Sequence, residues 1–132
     1  MSDYKFIKHF NDLGIEDVPS VGGKNASLGE MYRELLSQGV KVPNGYATTA
    51  EGYRHYIDSN HLQEKIAAEL DALDTSNVDG LAETGAKIRR WVGEANMPAD
   101  LEAEIAGAYR ELCDHEGHEV EVAVRSSATA ED

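Results

Sequence analysis

Two adjacent glycines running straight into a lysine constrain this chain more than any other stretch: Val21-Gly22-Gly23-Lys24-Asn25-Ala26-Ser27-Leu28-Gly29-Glu30. Glycine lacks a Cβ, so backbone there can turn sharply and a ligand can approach closely. The residues after the glycines have helical spacing, with Leu28, Met31, Leu35 and Leu36 on one face over about Asn25 to Gln38. A helix start offers unpaired N–H groups and a partial positive charge, which suits a phosphate, and a lysine adds a full mobile charge. The loop therefore has two readings: a cradle for the phosphate end of a nucleotide, or a glycine turn capping a helix beside a solvated lysine. It is not a Walker A sequence, which needs glycine at Val18 and Ser or Thr at Asn25. No Gly-x-Gly-x-x-Gly opens a helix either, so a dinucleotide Rossmann site is unsupported.

The remaining pattern predicts a mixed, helix-rich α/β chain. Tyr4 to Phe10 alternates apolar and polar residues and reads as a strand. Ile15 to Ser20, with Pro19, reads as a loop delivering the glycines. Gly39-Val40 reads as a glycine cap on the helix C-terminus. Tyr46-Ala47-Thr48 is a short strand. Thr48-Thr49-Ala50-Glu51 fits a capping box, starting a helix over about 50–58 that buries Tyr53 and Ile57. Three stripes come next: Leu62, Ile66, Leu70 and Leu73; then Val78, Leu81, Ile88, Trp91 and Val92; then Leu101, Ile105, Ala108, Tyr109 and Leu112. Asp74-Thr75-Ser76-Asn77 separates the first two, and Pro98 suits the first turn of the third. These segments read as a helical insertion at about 50–115 with solvated outer faces. Val120, Val122 and Val124 alternate with Glu119, Glu121 and Ala123, predicting a half-buried strand.

Charge narrows the function classes. The net charge is -13; residues 1–60 carry 6 basic and 8 acidic groups, and residues 61–132 carry 6 and 17. That field argues against a nucleic-acid partner. An anionic ligand would bind only where basic groups and backbone amides are locally concentrated. The single cysteine, Cys113, excludes an internal disulfide and fits a reducing compartment. No signal peptide or membrane-length apolar run is visible, so the expected location is the cytoplasm.

Lys24 and Arg125 are the best candidate pair. The glycine turn sets the direction of one, and the valine strand that of the other. Ser126, Ser127 and Thr129 come directly after Arg125 and can donate to phosphate oxygens. The competing reading of Arg125 is an ion pair at a strand end, with Glu121 or another carboxylate. Cys113, His115 and His118 lack a fourth ligand at zinc spacing, so no metal site is assigned. His9, His55 and His61 read as surface or packing residues. No nucleophile with its base is evident.

The glycine–lysine stretch through Met31, the segment Gly39-Val40-Lys41-Val42-Pro43-Asn44-Gly45-Tyr46-Ala47-Thr48-Thr49-Ala50, and Val122-Ala123-Val124-Arg125-Ser126-Ser127-Ala128-Thr129-Ala130-Glu131-Asp132 together resemble the N-terminal hallmarks of the phosphoenolpyruvate synthase family. The resemblance spans nearly the whole chain, in order. It implies the N-terminal portion of an ATP-grasp nucleotide-binding domain occupying residues 1–132. By the same resemblance Lys24 and Arg125 contact ATP phosphates, with Gly22, Gly23 and Ser126 as further contacts, and no catalytic or metal-ligating residue falls within this stretch. Members of the family convert ATP, pyruvate and water to AMP, phosphoenolpyruvate and phosphate. They use Mg2+ and a phosphohistidine on another domain; pyruvate binds a third, and the full-length protein is allowed a homodimer. Their sequences continue beyond Glu131-Asp132 into the magnesium ligands, so the chain alone is expected to be inactive. The alternatives are the ATP-binding part of a rifampicin phosphotransferase or pyruvate phosphate dikinase, and, from another class, an acidic protein-interaction module.

Overall fold

The computed structural model describes residues 4–130. It is mixed and helix-rich, with a small two-stranded sheet. Glu131 and Asp132, the end of the last family-like segment, lie outside the described residues. The chain divides into two compact units: Met1–Tyr53 with Ala99–Asp132, and Arg54–Pro98.

In the first unit, β1 (Ile7–His9) pairs antiparallel with β2 (Tyr46–Thr48), in the register Ile7↔Thr48, Lys8↔Ala47 and His9↔Tyr46. The strand expected over Tyr4 to Phe10 is shorter than its pattern, because Phe10 already enters a 3-10 turn, Phe10–Asp12. A second such turn, Ile15–Asp17, leads into α1 (Val18–Leu36). The expected loop at Ile15 to Ser20 is therefore largely helical. Pro19 stands at the start of α1, where a missing N–H costs nothing.

Leu13, Val21, Ala26 and Ala47 form the core here, with Phe10 and Val18 packed against it. Gly29 is the reason α1 lies so close to Leu13: a Cβ on Gly29 would stand 2.3 Å from the Leu13 Cβ. Two side chains of α1 tie down the same stretch. Arg33 Nη1 donates to the Leu13 carbonyl (3.0 Å), and Glu30 Oε2 accepts from the Ile15 N–H (3.1 Å). The helix ends as expected at Gly39, whose φ is +81°. The Gly39 N–H donates to Leu36 O (3.1 Å) and the Val40 N–H to Leu35 O (3.0 Å), the paired bonds of a Schellman cap.

The helix α5 (Ala99–Glu116) completes this unit, burying Leu101, Ala108 and Leu112. Its Glu104 accepts from the Phe6 N–H (2.8 Å) and its Glu111 from the Tyr4 hydroxyl (2.7 Å). His9 is a packing residue as expected, buried with Nε2 3.2 Å from Glu111 Oε2. The helix α2 (Ala50–Ser59) is capped by Thr49, whose Oγ1 accepts from the Gly52 N–H at 3.1 Å. The cap thus sits one residue later than the Thr48 box, which takes Gly52 rather than Glu51 as its third helical residue. That phase also corrects Tyr53, which is 59% exposed: Gly52 occupies the buried position, where a Cβ would stand 3.1 Å from the Phe6 Cβ.

The second unit holds the rest of α2 with α3 (Leu62–Asp71) and α4 (Val78–Glu94). Ile57 and Leu62 are buried. The Tyr56 hydroxyl donates to Val92 O (2.5 Å) and Ala95 O (3.2 Å). Asn60 gives Nδ2 to Asn96 O (2.9 Å) and takes the Asn96 N–H on Oδ1 (2.9 Å). Asn77, the last residue of the polar turn, caps α4, accepting from the Gly80 N–H at 3.1 Å. Val78 and Leu81 belong to the predicted stripe of α4 but are exposed, and so is Leu70 of the stripe read for α3.

The strand expected at Val120–Val124 does not form: residues 119–128 have no regular secondary structure. A strand needs a neighbour to complete its ladder, and the described sheet consists of β1 and β2 alone. Val122 and Val124 are accordingly exposed.

Candidate functional site

The site is built where α1 breaks. Gly22 has φ +83° and ψ 162°, off the helical path, and splits α1 into two runs. Residues 23–36 form the second run, so its first N–H groups have no carbonyl one turn back along that run. Gly22 is required twice over. Its φ lies in the region L side chains rarely adopt, and a Cβ there would meet Ala128 O at 2.6 Å and Ser127 Oγ at 2.7 Å. Gly23 is the opposite case: among the described residues a Cβ there would meet nothing within 4 Å. The space over Gly23 is open, beside a helix start and a lysine.

The segment carrying Arg125 lies against this loop. Lys24 Nζ donates to Ser126 O at 3.0 Å, across 102 positions of sequence. Ser127 Oγ donates to Val21 O at 2.6 Å, and Asn25 Nδ2 donates to the same carbonyl at 2.9 Å. Arg125 is exposed, and among the described residues no carboxylate, Glu121 included, pairs with it. The structure thus brings Gly22, Gly23, Lys24 and the backbone flanking Arg125 into one place. Ser126 meets Lys24 through its carbonyl, and Ser127 spends its hydroxyl proton on Val21.

Ser127 and Asn25 as donors to one carbonyl are not evident from sequence. Asn25, four residues after Val21 and across the glycine pair, is the available signal for its half. Nothing in the sequence pairs Ser127 with Val21.

Below the loop, Asp17 anchors the approach to α1. Its carboxyl is held below the ordinary carboxylate range, first by the Gly14 N–H at 2.9 Å. Partial burial opposes this, and the Lys8 ammonium at 3.3 Å supports it. Elsewhere, His115 Nδ1 stands 3.4 Å from its neighbour Glu116, and no three metal-ligating side chains converge among the described residues. Among those residues no helix is long and apolar enough to cross a membrane.

Comparison with known proteins supplies the chemical context. Residues 18–132 match the family described as pyruvate phosphate dikinase, AMP/ATP-binding domain. Over 128 residues the chain is 51% identical to a phosphoenolpyruvate synthase of Pseudomonas aeruginosa, covering 97% of this chain and 16% of that protein. It is 48% identical to a phosphoenolpyruvate synthase of Neisseria meningitidis, covering 96% and 16%. Against the phosphoenolpyruvate synthase of Escherichia coli it is 46% identical, covering 93% and 15%. The chain therefore spans about a sixth of the length of these relatives.

Proposed function

Since the chain belongs to the pyruvate phosphate dikinase AMP/ATP-binding domain family, we propose that its glycine–lysine loop and Arg125 grip the phosphates of ATP. The domain would be of ATP-grasp type, and this chain its N-terminal portion. The observation that carries the reading is the 3.0 Å bond from Lys24 Nζ to Ser126 O, which puts the lysine one residue from Arg125. Phosphoryl transfer asks a protein mainly for positioning and charge neutralisation. Lys24 would neutralise β/γ oxygens from the loop side and Arg125 from the facing segment. The bare Gly23 would let the triphosphate lie against the N–H groups that open the second helical run. In a chain of net charge -13, an anion needs a local concentration of cations and backbone amides such as this reading supplies.

The activity we propose for the whole protein is that of its relatives' name: conversion of ATP, pyruvate and water to AMP, phosphoenolpyruvate and phosphate, in the cytoplasm. ATP, with Mg2+, would bind in this domain. The magnesium ligands, the phosphorylated histidine and the pyruvate site would lie outside residues 1–132. Among the described residues no three His, Cys, Asp or Glu side chains converge, and no step is assigned to the metal.

Calorimetric titration with Mg-ATP, on the whole polypeptide the gene encodes, tests the reading. Lys24→Ala and Arg125→Ala should each weaken binding by about 10- to 100-fold, the range for losing one charge-assisted hydrogen bond. Unchanged affinity in both variants would overturn the proposal and favour an acidic interaction module.

A further inference from the structure

We infer that Ser127 and Asn25 are positioning residues: by jointly holding the Val21 carbonyl, they set the glycine turn and the segment that carries Arg125. The inference rests on the phosphate-binding reading of the loop and adds to it two side chains that touch no phosphate.

The Val21 carbonyl would ordinarily accept from the backbone N–H four residues on. Gly22 leaves the helical path there, at φ +83° and ψ 162°. The Val21 carbonyl thus stands at the break, on a residue only 3% exposed. A buried carbonyl without a donor is costly. Two side chains serve it, Asn25 Nδ2 at 2.9 Å and Ser127 Oγ at 2.6 Å, and a carbonyl oxygen has lone pairs for both. Asn25 comes from the first turn of the run that carries Lys24. Ser127 comes from the segment that carries Arg125. One acceptor therefore links the two halves of the proposed site.

The link matters because that segment has no helix or strand of its own to fix it. Residues 119–128 have no regular structure, and Val124 is 92% exposed. The Tyr109 hydroxyl ties its start, at Val120 O (2.6 Å). Near Arg125, Lys24 donates to Ser126 O and Ser127 to Val21 O. Lys24 is the group an incoming phosphate would draw on. The Ser127 bond involves no group a phosphate needs, so it keeps Arg125 in register while Lys24 serves the ligand. The contact is also matched in shape, since any Cβ on Gly22 would collide with Ser127 Oγ.

The experiment compares Ser127→Ala, Ser127→Thr and Asn25→Ala with the unsubstituted polypeptide, by Mg-ATP titration and by amide hydrogen exchange without nucleotide. Ser127→Ala should weaken Mg-ATP binding about five- to tenfold, the worth of one hydrogen bond. Ser127→Thr, which keeps the hydroxyl, should restore it to within about twofold. Without nucleotide, Ser127→Ala should speed exchange at residues 22–25 and 126–128 together, and Asn25→Ala should do so at residues 22–25. Unaltered affinity in Ser127→Ala, beside normal binding by the unsubstituted protein, overturns this inference alone. So does a threonine variant as weak as the alanine one, or exchange that does not change. Absence of any Mg-ATP binding by the unsubstituted protein overturns the phosphate reading itself.

Discussion

At the scale of single residues, the two adjacent glycines are not equivalent. Gly22 is boxed in by Ala128 O and Ser127 Oγ and has a positive φ, while Gly23 faces open space. Gly22→Ala should therefore destabilise the fold by about 1–3 kcal/mol, from strain and overpacking together. Gly23→Ala should leave the unfolding midpoint within a few degrees of the parent and weaken Mg-ATP binding about tenfold, a loss of about 1.4 kcal/mol. Thermal melts set beside titrations separate the two effects; a Gly23→Ala protein with parental affinity would mean the open space is not a ligand's. Asp17 carries a pH signature. Its carboxyl titrates lower in the folded chain, chiefly through the Gly14 N–H. The stability it contributes is thus present above its unfolded pKa, about 3.9, and is lost as pH falls through the folded value. Asp17→Asn should be less stable than the parent in urea at pH 7, and the gap should shrink in acid below about pH 4. A gap independent of pH would contradict the assignment.

At the scale of elements, α1 shows packing overriding propensity. Alanine at Gly29 would favour the helix by about 1 kcal/mol. Its Cβ, however, would stand 2.3 Å from that of Leu13, which is fully buried against the core. Overpacking of this kind costs about 1–3 kcal/mol, so Gly29→Ala should lower the unfolding free energy despite its better propensity. Urea denaturation would show it, and a neutral or stabilised variant would mean Leu13 can move aside. The helix end was legible for a simpler reason. Gly39 followed by Val40 is a local signal, and the Schellman bonds it predicts are short-range backbone bonds. The valine alternation at Val120–Val124 was misleading because period two reports only that a segment can serve as a strand. Pairing is a separate condition, and no described segment pairs with it.

At the scale of the whole molecule, the helices predicted after residue 60 divide between two units. The buried face of α5 belongs with the sheet unit, while α3 and α4 stand with the later part of α2 between Arg54 and Pro98. In that second unit Tyr56 serves two carbonyls, Val92 O and Ala95 O. Tyr56→Phe should cost about 1–3 kcal/mol, because it removes the one hydroxyl proton those two part-buried carbonyls share. Amide exchange confined to residues 54–98 would localise the loss. For the chain as a whole, the phosphate site we propose holds only part of a reaction centre. The 132-residue chain should show no pyruvate-dependent release of AMP from ATP, and measurable turnover by the purified chain would refute that.

Some of this protein was determined by its sequence alone, because the controlling physics is local. The cap at Gly39 and the glycine–lysine helix start depend on a few neighbouring residues and stand in the structure where the pattern puts them, whereas the apolar face read for α1 does not: Met31 and Leu36 are exposed, and Val21, Ala26, Gly29 and Tyr32 are buried instead. The family was legible too, from motifs in order. Tertiary structure alone decided what depends on contacts across the chain. It chose Gly52 over Tyr53 for the inner face of α2, left Val120–Val124 unpaired, and joined Ser127 to Val21 across 106 positions. A hydrogen bond of that span has no periodicity to announce it. It exists only because folding brings a donor within reach of a carbonyl that stands beside a glycine off the helical path.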